Sequence, residues 1–204
     1  MTAPITLWLD FTSPYAYFAL DAVECLAHSH GRGLIWRPIL LWAVLKAQKV
    51  PPPLEAPARR SYLLADMARS AAFYHVSYSP PSRFPLSAHR AARVFYALEE
   101  LGSAHARAFG RDVFAAYFQS DADISDVATL AEIAARHGMT REQAEAATEG
   151  DLGRRRLAEA NDSAIAAGVC GSPWMEVDGE AFFGADRLSQ IAWRLSGALQ
   201  PAQI

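Results

Sequence analysis

The sequence predicts an α/β fold in which two halves of one sheet are separated by a long helical insertion. Three observations lead to this prediction. Residues 1–40 show a βαβ pattern, residues 41–168 carry alanine-rich amphipathic runs with almost no strand signal, and two short strands and a helix follow. We therefore expect residues 1–40 and 169–204 to form one domain, into which residues 41–168 are inserted as an all-helical domain.

The first half of the sheet is predicted by residues 5–39. The run from Ile5 to Asp10 alternates loosely, as in a strand. From Pro14 to about His28, apolar residues recur at helical spacing, and Gly31 ends that pattern. Residues 34–39 form a short apolar run. Because a helix separates the two strands, we expect them to be parallel.

The middle of the chain predicts a series of helices. They cover residues 41–48, 59–74, 88–101, 104–118, 126–137, 141–148 and 152–167. Thr140 and Gln143 have the spacing of a capping box, and Gly138 follows two cationic residues as a left-handed helix end would. Two proline-rich loops, "KVPPPLEAPARR" and "SYSPPSRFP", interrupt the region without being long enough to link independent domains.

The last segment returns to strands. In "PWMEVDGEAFFG", two short alternating runs are joined by Asp178-Gly179, which is typical of a two-residue hairpin. Residues 186–199 then have the apolar spacing of a closing helix.

Composition narrows the class of protein. The chain has 204 residues, of which 51% are hydrophobic and 20% charged, and its net charge is -3, so we expect a folded core and no nucleic-acid partner. No run reaches the roughly 18–20 apolar residues of a membrane span, and the N-terminus lacks a secretory signal pattern. The two cysteines form no metal pattern, and we expect Cys25 to face the core. A cytoplasmic protein without a metal is the expectation.

The corner "LWLDFTSPYAYFAL" joins the first strand to the first helix. Thr12 or Ser13 stands where a helix N-cap is expected, and Pro14 suits the first helical position because its missing N–H needs no partner. A simple cap explains this pattern. The same helix end also stabilises an anion, so a thiolate or oxyanion beside Ser13 is the functional alternative.

A second polar stretch lies before and after the hairpin, in "GVCGSPWMEVDGEAFFGADRL". Ser172-Pro173 precedes a strand, a position that accepts proline. X-Pro bonds are usually trans, and a cis bond here would expose the Ser172 backbone to an extended ligand. Asp186 opens the final helix, where it either caps that helix or pairs with a ligand ammonium group.

These two stretches resemble the kappa-class glutathione transferases of the thioredoxin superfamily, and most closely the bacterial 2-hydroxychromene-2-carboxylate isomerases. "PPPLEAPARRSYLLADMAR" and "PPSRFPLSAHRAARV" are also similar to that family, so the resemblance covers essentially the whole chain. It implies a thioredoxin-like domain in residues 1–40 and 169–204. It also implies a DsbA-like helical insertion.

The resemblance implies a glutathione site. Ser13 takes the place of the redox cysteine, hydrogen-bonds the glutathione sulfur and holds it as thiolate. Pro173 is the cis-proline, and the Ser172 backbone pairs with the cysteinyl part of glutathione as an added strand does. Because a serine replaces the cysteine at Ser13, the sequence argues against a dithiol oxidoreductase.

The two ends of glutathione are assigned in the same way. Ala185 and Asp186 meet the γ-glutamyl end, and Arg59 faces the glycine carboxylate. Two departures stand out. Val50 lies where the family has an asparagine before the proline pair, and nearby Gln48 or Lys49 is the candidate substitute for it. Ala185 replaces a polar residue, which leaves only its backbone.

The implied reaction is the glutathione-dependent isomerisation of 2-hydroxychromene-2-carboxylate to trans-o-hydroxybenzylidenepyruvate, a step in aromatic hydrocarbon degradation. Glutathione thiolate adds to the conjugated substrate, the bond rotates, and the thiolate leaves. Tyr15, Arg83 and Phe84 are the substrate-binding candidates, while Trp42 is better explained by core packing. The alternatives are a kappa-class-like transferase or peroxidase and a non-catalytic thiol- or peptide-binding module. A homodimer is the family expectation.

Overall fold

The fold is described by a computed structural model that covers residues 2–197. The strands are β1 (Ile5–Leu9), β2 (Leu34–Pro38), β3 (Trp174–Val177) and β4 (Glu180–Phe183). The helices are α1 (Pro14–Ser29), α2 (Leu41–Ala47), α3 (Pro57–Phe73), α4 (His89–Glu99), α5 (Ser103–Ser120), α6 (Val127–Ala135), α7 (Arg141–Glu149), α8 (Asp151–Ala166) and α9 (Leu188–Leu195). A short 3-10 helix, Ala185–Arg187, precedes α9.

The four strands form one mixed sheet in the order β2-β1-β3-β4. β1 and β2 are parallel, as the intervening helix requires, whereas β3 pairs antiparallel with both β1 and β4. Leu7 lies opposite both Trp36 and Met175 in this sheet, and all three side chains are buried. Helices α2 to α8 enter the chain between β2 and β3. The predicted α/β fold with a helical insertion is confirmed.

Local sequence signals explain several element ends. Thr140 and Gln143 form the predicted capping box at the start of α7, and Asp126 caps α6 through the Thr129 N–H. Asp178 and Gly179 both adopt positive φ in the β3–β4 turn, as a two-residue hairpin requires. Most predicted boundaries agree with the structure within two residues. The closing helix is shorter than predicted, because residues 185–187 form a 3-10 turn, and residues 198 and 199 lie outside the described chain.

A belt of aromatic side chains joins the insertion to the sheet. Phe11, which follows β1, packs against Phe95 of α4 and Phe114 of α5, with ring centroids 6.2 and 5.1 Å apart. Tyr17 of α1 stacks on Phe114 and Phe118. The buried residues form one continuous cluster, so α1 is held rigidly between the sheet and the insertion.

Two expectations about single residues were wrong. Cys25 is exposed rather than buried, because α1 turns that position away from the sheet. Trp42 is 54% exposed and therefore is not a core residue. It is the second residue of α2, whose buried side chains are Val44 and Leu45.

Candidate active site

The site begins where β1 ends and α1 starts. Ser13 is the N-cap of α1: its hydroxyl oxygen accepts the Ala16 N–H at 3.2 Å, and its carbonyl accepts the Tyr17 N–H at 3.2 Å. Pro14 has no N–H. Of the backbone N–H groups in this first turn, that of Tyr15 therefore has no hydrogen-bond acceptor among the described residues. The corner thus offers one free backbone N–H at the positive end of a helix.

The segment before β3 completes the corner. Ser13 donates its hydroxyl proton to the Ser172 carbonyl at 2.8 Å, across 159 positions of sequence. The Ser172–Pro173 peptide bond is cis, and Ser172 is 6% exposed. The two sequence stretches singled out by their polar residues therefore meet directly in the fold.

Asp10 forms hydrogen bonds to each of the segments that meet at this corner. Its backbone N–H donates to the Ser172 hydroxyl at 2.9 Å, and its carbonyl accepts the Ser13 N–H at 2.9 Å. Its carboxylate accepts the Thr12 N–H at 2.8 Å, the Thr12 hydroxyl at 2.7 Å and the Leu41 N–H at 2.8 Å. One buried side chain therefore ties together β1, the start of α1 and the start of α2.

The environment of Asp10 disfavours its charge. The side chain is buried, and this burial raises the pKa of the Asp10 carboxyl against the three hydrogen bonds that lower it. Leu41 is the first residue of α2. The N-cap of this helix is Leu40, whose side chain makes no capping hydrogen bond. The Asp10 carboxylate acts as a remote cap for α2.

Gln48 closes the other end of α2. Its side-chain amide donates to the Val169 carbonyl at 2.7 Å. This bond links the C-cap of α2 to the segment that leads into Pro173. Lys49 adopts positive φ and is exposed. Of the two residues proposed for the family's asparagine, Gln48 is therefore held beside the segment before β3.

The γ-glutamyl candidates lie after β4. The Gly184 N–H donates to the Pro173 carbonyl at 3.0 Å, which fixes the following turn next to the cis-proline. Ala185 is buried, whereas the side chain of Asp186 is 66% exposed. Asp186 does not cap the final helix through its side chain and pairs with Arg187 at 3.2 Å. A ligand would therefore find an exposed carboxylate whose partner within the protein is Arg187.

Gly184 allows Asp186 to take that position. Its φ is +106°, and a Cβ built there would lie 2.4 Å from Asp186 Oδ1. Only glycine combines this backbone conformation with such a close approach of the carboxylate.

The Tyr15 side chain lies on the flank of the corner toward α3. Its hydroxyl donates to Asp66 Oδ2 at 2.7 Å. Burial and then this hydrogen bond raise the pKa of Tyr15, so the phenol stays protonated with its proton committed to Asp66. The same bond is the main reason that the pKa of Asp66 is lowered. The Tyr15 hydroxyl therefore donates toward α3, whereas the Ser13 hydroxyl donates within the corner, to the Ser172 carbonyl.

Tyr74, just after α3, belongs to the same neighbourhood. Burial raises its pKa first, and the carboxylates of Asp186 and Asp66 raise it further. The Tyr74 phenol is therefore protonated at neutral pH.

The remaining candidates differ in their contacts. Arg59, in the first turn of α3, is exposed, and no described residue forms an ion pair or hydrogen bond with it. Arg83 is exposed and paired with Asp123. Phe84 is half-buried against the core. The structure therefore brings Ser13, Tyr15, Ser172 and Pro173 together directly, while Arg83 and Phe84 lie on a neighbouring loop.

That loop is attached to the corner through Tyr117 of α5. The Tyr117 hydroxyl donates to the Arg83 carbonyl at 2.8 Å. The Asp10 carboxylate is one of the groups that raise the pKa of Tyr117, after burial. Tyr117 thus links α5 to the loop that carries Arg83 and Phe84.

Sequence reasoning missed Asp10, Asp66 and Tyr117 as members of this region. Asp10 had a usable signal, since a carboxylate directly after a buried apolar strand must find hydrogen-bond partners. Asp66 had none, because its partner Tyr15 is 51 positions away in the sequence.

Within the described part of the chain, neither a cluster of metal-ligand side chains nor a cysteine contributes to this corner. Residues 2–197 contain no group of three or more His, Cys, Asp or Glu side chains that could hold a metal ion. Both cysteines are free and exposed, and neither occupies the corner. None of the described helices combines the length and hydropathy that crossing a membrane requires. Two surface cavities of about 380 and 350 Å³ border Arg107, and neither includes Ser13.

Comparison with known proteins finds relatives that match almost the whole chain. A family profile described as a DSBA-like thioredoxin domain matches residues 4–196. The 2-hydroxychromene-2-carboxylate isomerase of Sphingobium xenophagum is 28% identical over 190 residues, covering 92% of this chain and 95% of the relative. Glutathione S-transferase kappa 1 of Caenorhabditis elegans is 26% identical over 201 residues, covering 92% and 88%. A solved structure of 2-hydroxychromene-2-carboxylate isomerase has a TM-score of 0.84 at 24% identity and covers 94% of each chain.

Proposed function

The chain belongs to the DSBA-like thioredoxin domain family, and we propose that it is a glutathione-dependent isomerase of a small aromatic carboxylate. The substrate we propose is 2-hydroxychromene-2-carboxylate, and the product is trans-o-hydroxybenzylidenepyruvate. One observation carries the proposal. The hydroxyl of Ser13 stands at the N-terminus of α1, 2.8 Å from the Ser172 carbonyl, where a dithiol enzyme needs a cysteine.

Under this proposal, each group of glutathione has a partner residue in the protein. Ser13 and the Tyr15 N–H suit the sulfur, since both donate hydrogen bonds at the positive end of a helix. The Ser172 backbone suits the cysteinyl peptide unit. Asp186 presents an exposed carboxylate to the ammonium group of the γ-glutamyl end, and Arg59 an exposed guanidinium to the glycine carboxylate.

When bound, glutathione supplies the thiolate that adds reversibly to the conjugated double bond and so permits rotation about it, with no net oxidation. The protein's part is to favour the thiolate over the thiol. A free thiol has a pKa of about 8.5, and a helix N-terminus lowers it. Ser13 has one proton, which lies toward the Ser172 carbonyl. When the peptide N–H of bound glutathione donates to the Ser172 carbonyl instead, the Ser13 hydroxyl proton can turn toward the sulfur.

An aromatic anion requires an apolar wall and a cation. We propose Phe84 and the ring of Tyr15 for the wall and Arg83 for the cation. Arg83 is 67% exposed and paired with Asp123, so it reaches a substrate only by exchanging that partner. Surface ion pairs contribute about 0–1 kcal/mol to stability, so exchanging Asp123 for a substrate carboxylate costs little free energy.

A second candidate activity uses the same site. A transferase of the kappa class would conjugate the thiolate to an electrophile rather than release it, and the similarity to glutathione S-transferase kappa 1 favours this alternative. For either activity we propose a cytoplasmic homodimer, whose assembly state light scattering would measure.

Titration calorimetry with glutathione tests both activities at once. We expect binding at millimolar concentration or tighter, and its absence would leave only a non-catalytic thiol- or peptide-binding role. With glutathione bound, a spectrophotometric assay on 2-hydroxychromene-2-carboxylate separates an isomerase from a transferase.

The residue-level test is Ser13→Ala. Losing the donor that stabilises the thiolate should lower kcat by about 100-fold, while loss of the cap lowers the free energy of unfolding by about 1 kcal/mol. Ser163→Ala is the control, because Ser163 is exposed and its hydroxyl bonds only the Glu159 carbonyl within α8. Unchanged turnover in Ser13→Ala would remove Ser13 from the mechanism.

A further inference from the structure

Helix α3 is anchored unevenly. Its buried side chains are Met67 and Ala71, both in the second half of the helix. The first half follows the proline-rich loop and has no buried side chain. Arg59, which the proposed function assigns to the glycine carboxylate of glutathione, lies in this first half. Its position therefore depends on how the helix is fixed near its middle.

The bond between Tyr15 and Asp66 fixes that middle. Tyr15 is the second residue of α1 and lies two positions after Ser13, and its hydroxyl donates to Asp66 Oδ2 at 2.7 Å. It is the one side-chain hydrogen bond by which described residues of α3 reach α1. Asp66 itself is held within α3 by Arg69 and by the Ser70 hydroxyl at 3.3 Å.

Helix geometry transmits this attachment to Arg59. Arg59 and Asp66 are seven positions apart, which is about two turns and about 10 Å along the axis. Residues at this spacing share a helix face, so the face that Asp66 turns toward the site corner also carries Arg59.

We propose that Tyr15 and Asp66 are a positioning pair, which places Arg59 for the glycine carboxylate of glutathione and thereby gives the site its preference for the full tripeptide. The inference rests on the proposed function, since Arg59 has a carboxylate to meet only where glutathione binds. Neither member of the pair needs to touch the ligand through its polar atoms, because each satisfies the other.

The test compares two ligands. Glutathione carries the glycine carboxylate, and γ-glutamylcysteine lacks it. We expect Tyr15→Phe and Asp66→Asn each to weaken glutathione binding by about fivefold, the loss that one hydrogen bond of about 1 kcal/mol produces. γ-Glutamylcysteine binding should change less than twofold, and Arg59→Ala should show the same selectivity. The double variant should lose no more than either single one.

Tyr17→Phe is the matched control. Tyr17 lies on the same helix, and its hydroxyl donates to the Ser77 carbonyl at 3.0 Å rather than to α3. It should bind both ligands as the unsubstituted protein does, and it should keep kcat at saturating glutathione within twofold. An equal loss for both ligands, or no loss for glutathione, overturns the positioning role. Absence of glutathione binding by the unsubstituted protein overturns the proposed function, and this inference with it.

Discussion

The buried carboxylate of Asp10 makes a pH-dependent contribution to stability that a single substitution isolates. In Asp10→Asn, the amide oxygen can still accept from Thr12, but the amide nitrogen faces the Leu41 N–H and leaves it without an acceptor. Loss of one buried hydrogen bond should lower the free energy of unfolding at pH 7 by about 1–2 kcal/mol. For a chain of this size, that corresponds to a fall in Tm of about 2–8 °C.

The sign of the pH dependence follows from the direction of the pKa change. Burial raises the folded-state pKa of Asp10 above the ordinary value of 3.8, so folding takes up a proton at this group. Its stabilising contribution is complete below the ordinary value and is lost as pH rises through the raised folded value. Asparagine does not titrate. The stability difference between the unsubstituted protein and Asp10→Asn should therefore be largest near pH 4 and should shrink toward pH 8.

Urea unfolding at a series of pH values measures this difference. Carboxyls with lowered pKa, such as those of Asp66 and Asp178, titrate in both proteins and cancel. Thr12→Val is the control, because it removes one hydroxyl partner but keeps the titrating group. Since the lost bond lowers the pKa of Asp10, that pKa stays raised, and stability should still fall as pH rises, as in the unsubstituted protein. A difference that stays constant or grows with pH would refute the reasoning, since the three hydrogen bonds would then outweigh burial.

Two glycines give further predictions. Gly184→Ala requires an unfavourable φ of +106° and displaces the Asp186 carboxylate, so calorimetry should show glutathione binding weakened by about tenfold. Gly153→Ala should lower the free energy of unfolding by about 1–3 kcal/mol despite the better helix propensity of alanine, because its Cβ would lie 2.8 Å from the Arg93 backbone carbonyl. For both, Gly168→Ala is the comparison: nothing lies within 4 Å of its Cβ, so it should lose about 1 kcal/mol from its φ of +72° alone and bind glutathione normally. Normal binding by Gly184→Ala, or a stability loss in Gly153→Ala no larger than in Gly168→Ala, would contradict these explanations.

Local patterns were sufficient for most of the fold. The Thr140 capping box, the Asp178-Gly179 turn and the N-cap at Ser13 all form as predicted, because each depends on residues within a few positions of one another. Burial of single side chains was predicted less well. Cys25 and Trp42 are exposed, because helical periodicity shows that a face is apolar but not how far the neighbouring elements cover it.

The candidate site shows the same division. Ser13, Ser172 and Pro173 were found as separate stretches, and the fold places the Ser13 hydroxyl on the Ser172 carbonyl. Asp66 was not predicted as a site residue. On a helix surface, the sequence does not distinguish an acidic side chain that accepts a hydrogen bond from Tyr15 from one that is solvated.

By itself, the sequence determined the order of strands and helices, the cap that starts α1 and the polar residues around the cis-proline, since these depend on short-range backbone preferences. Only the tertiary structure decided that Asp10 joins β1, α1 and α2, and that Tyr15 reaches Asp66 across 51 positions. Hydrogen bonds between distant segments form only when packing brings their atoms within about 3 Å of each other, and no local pattern encodes that distance.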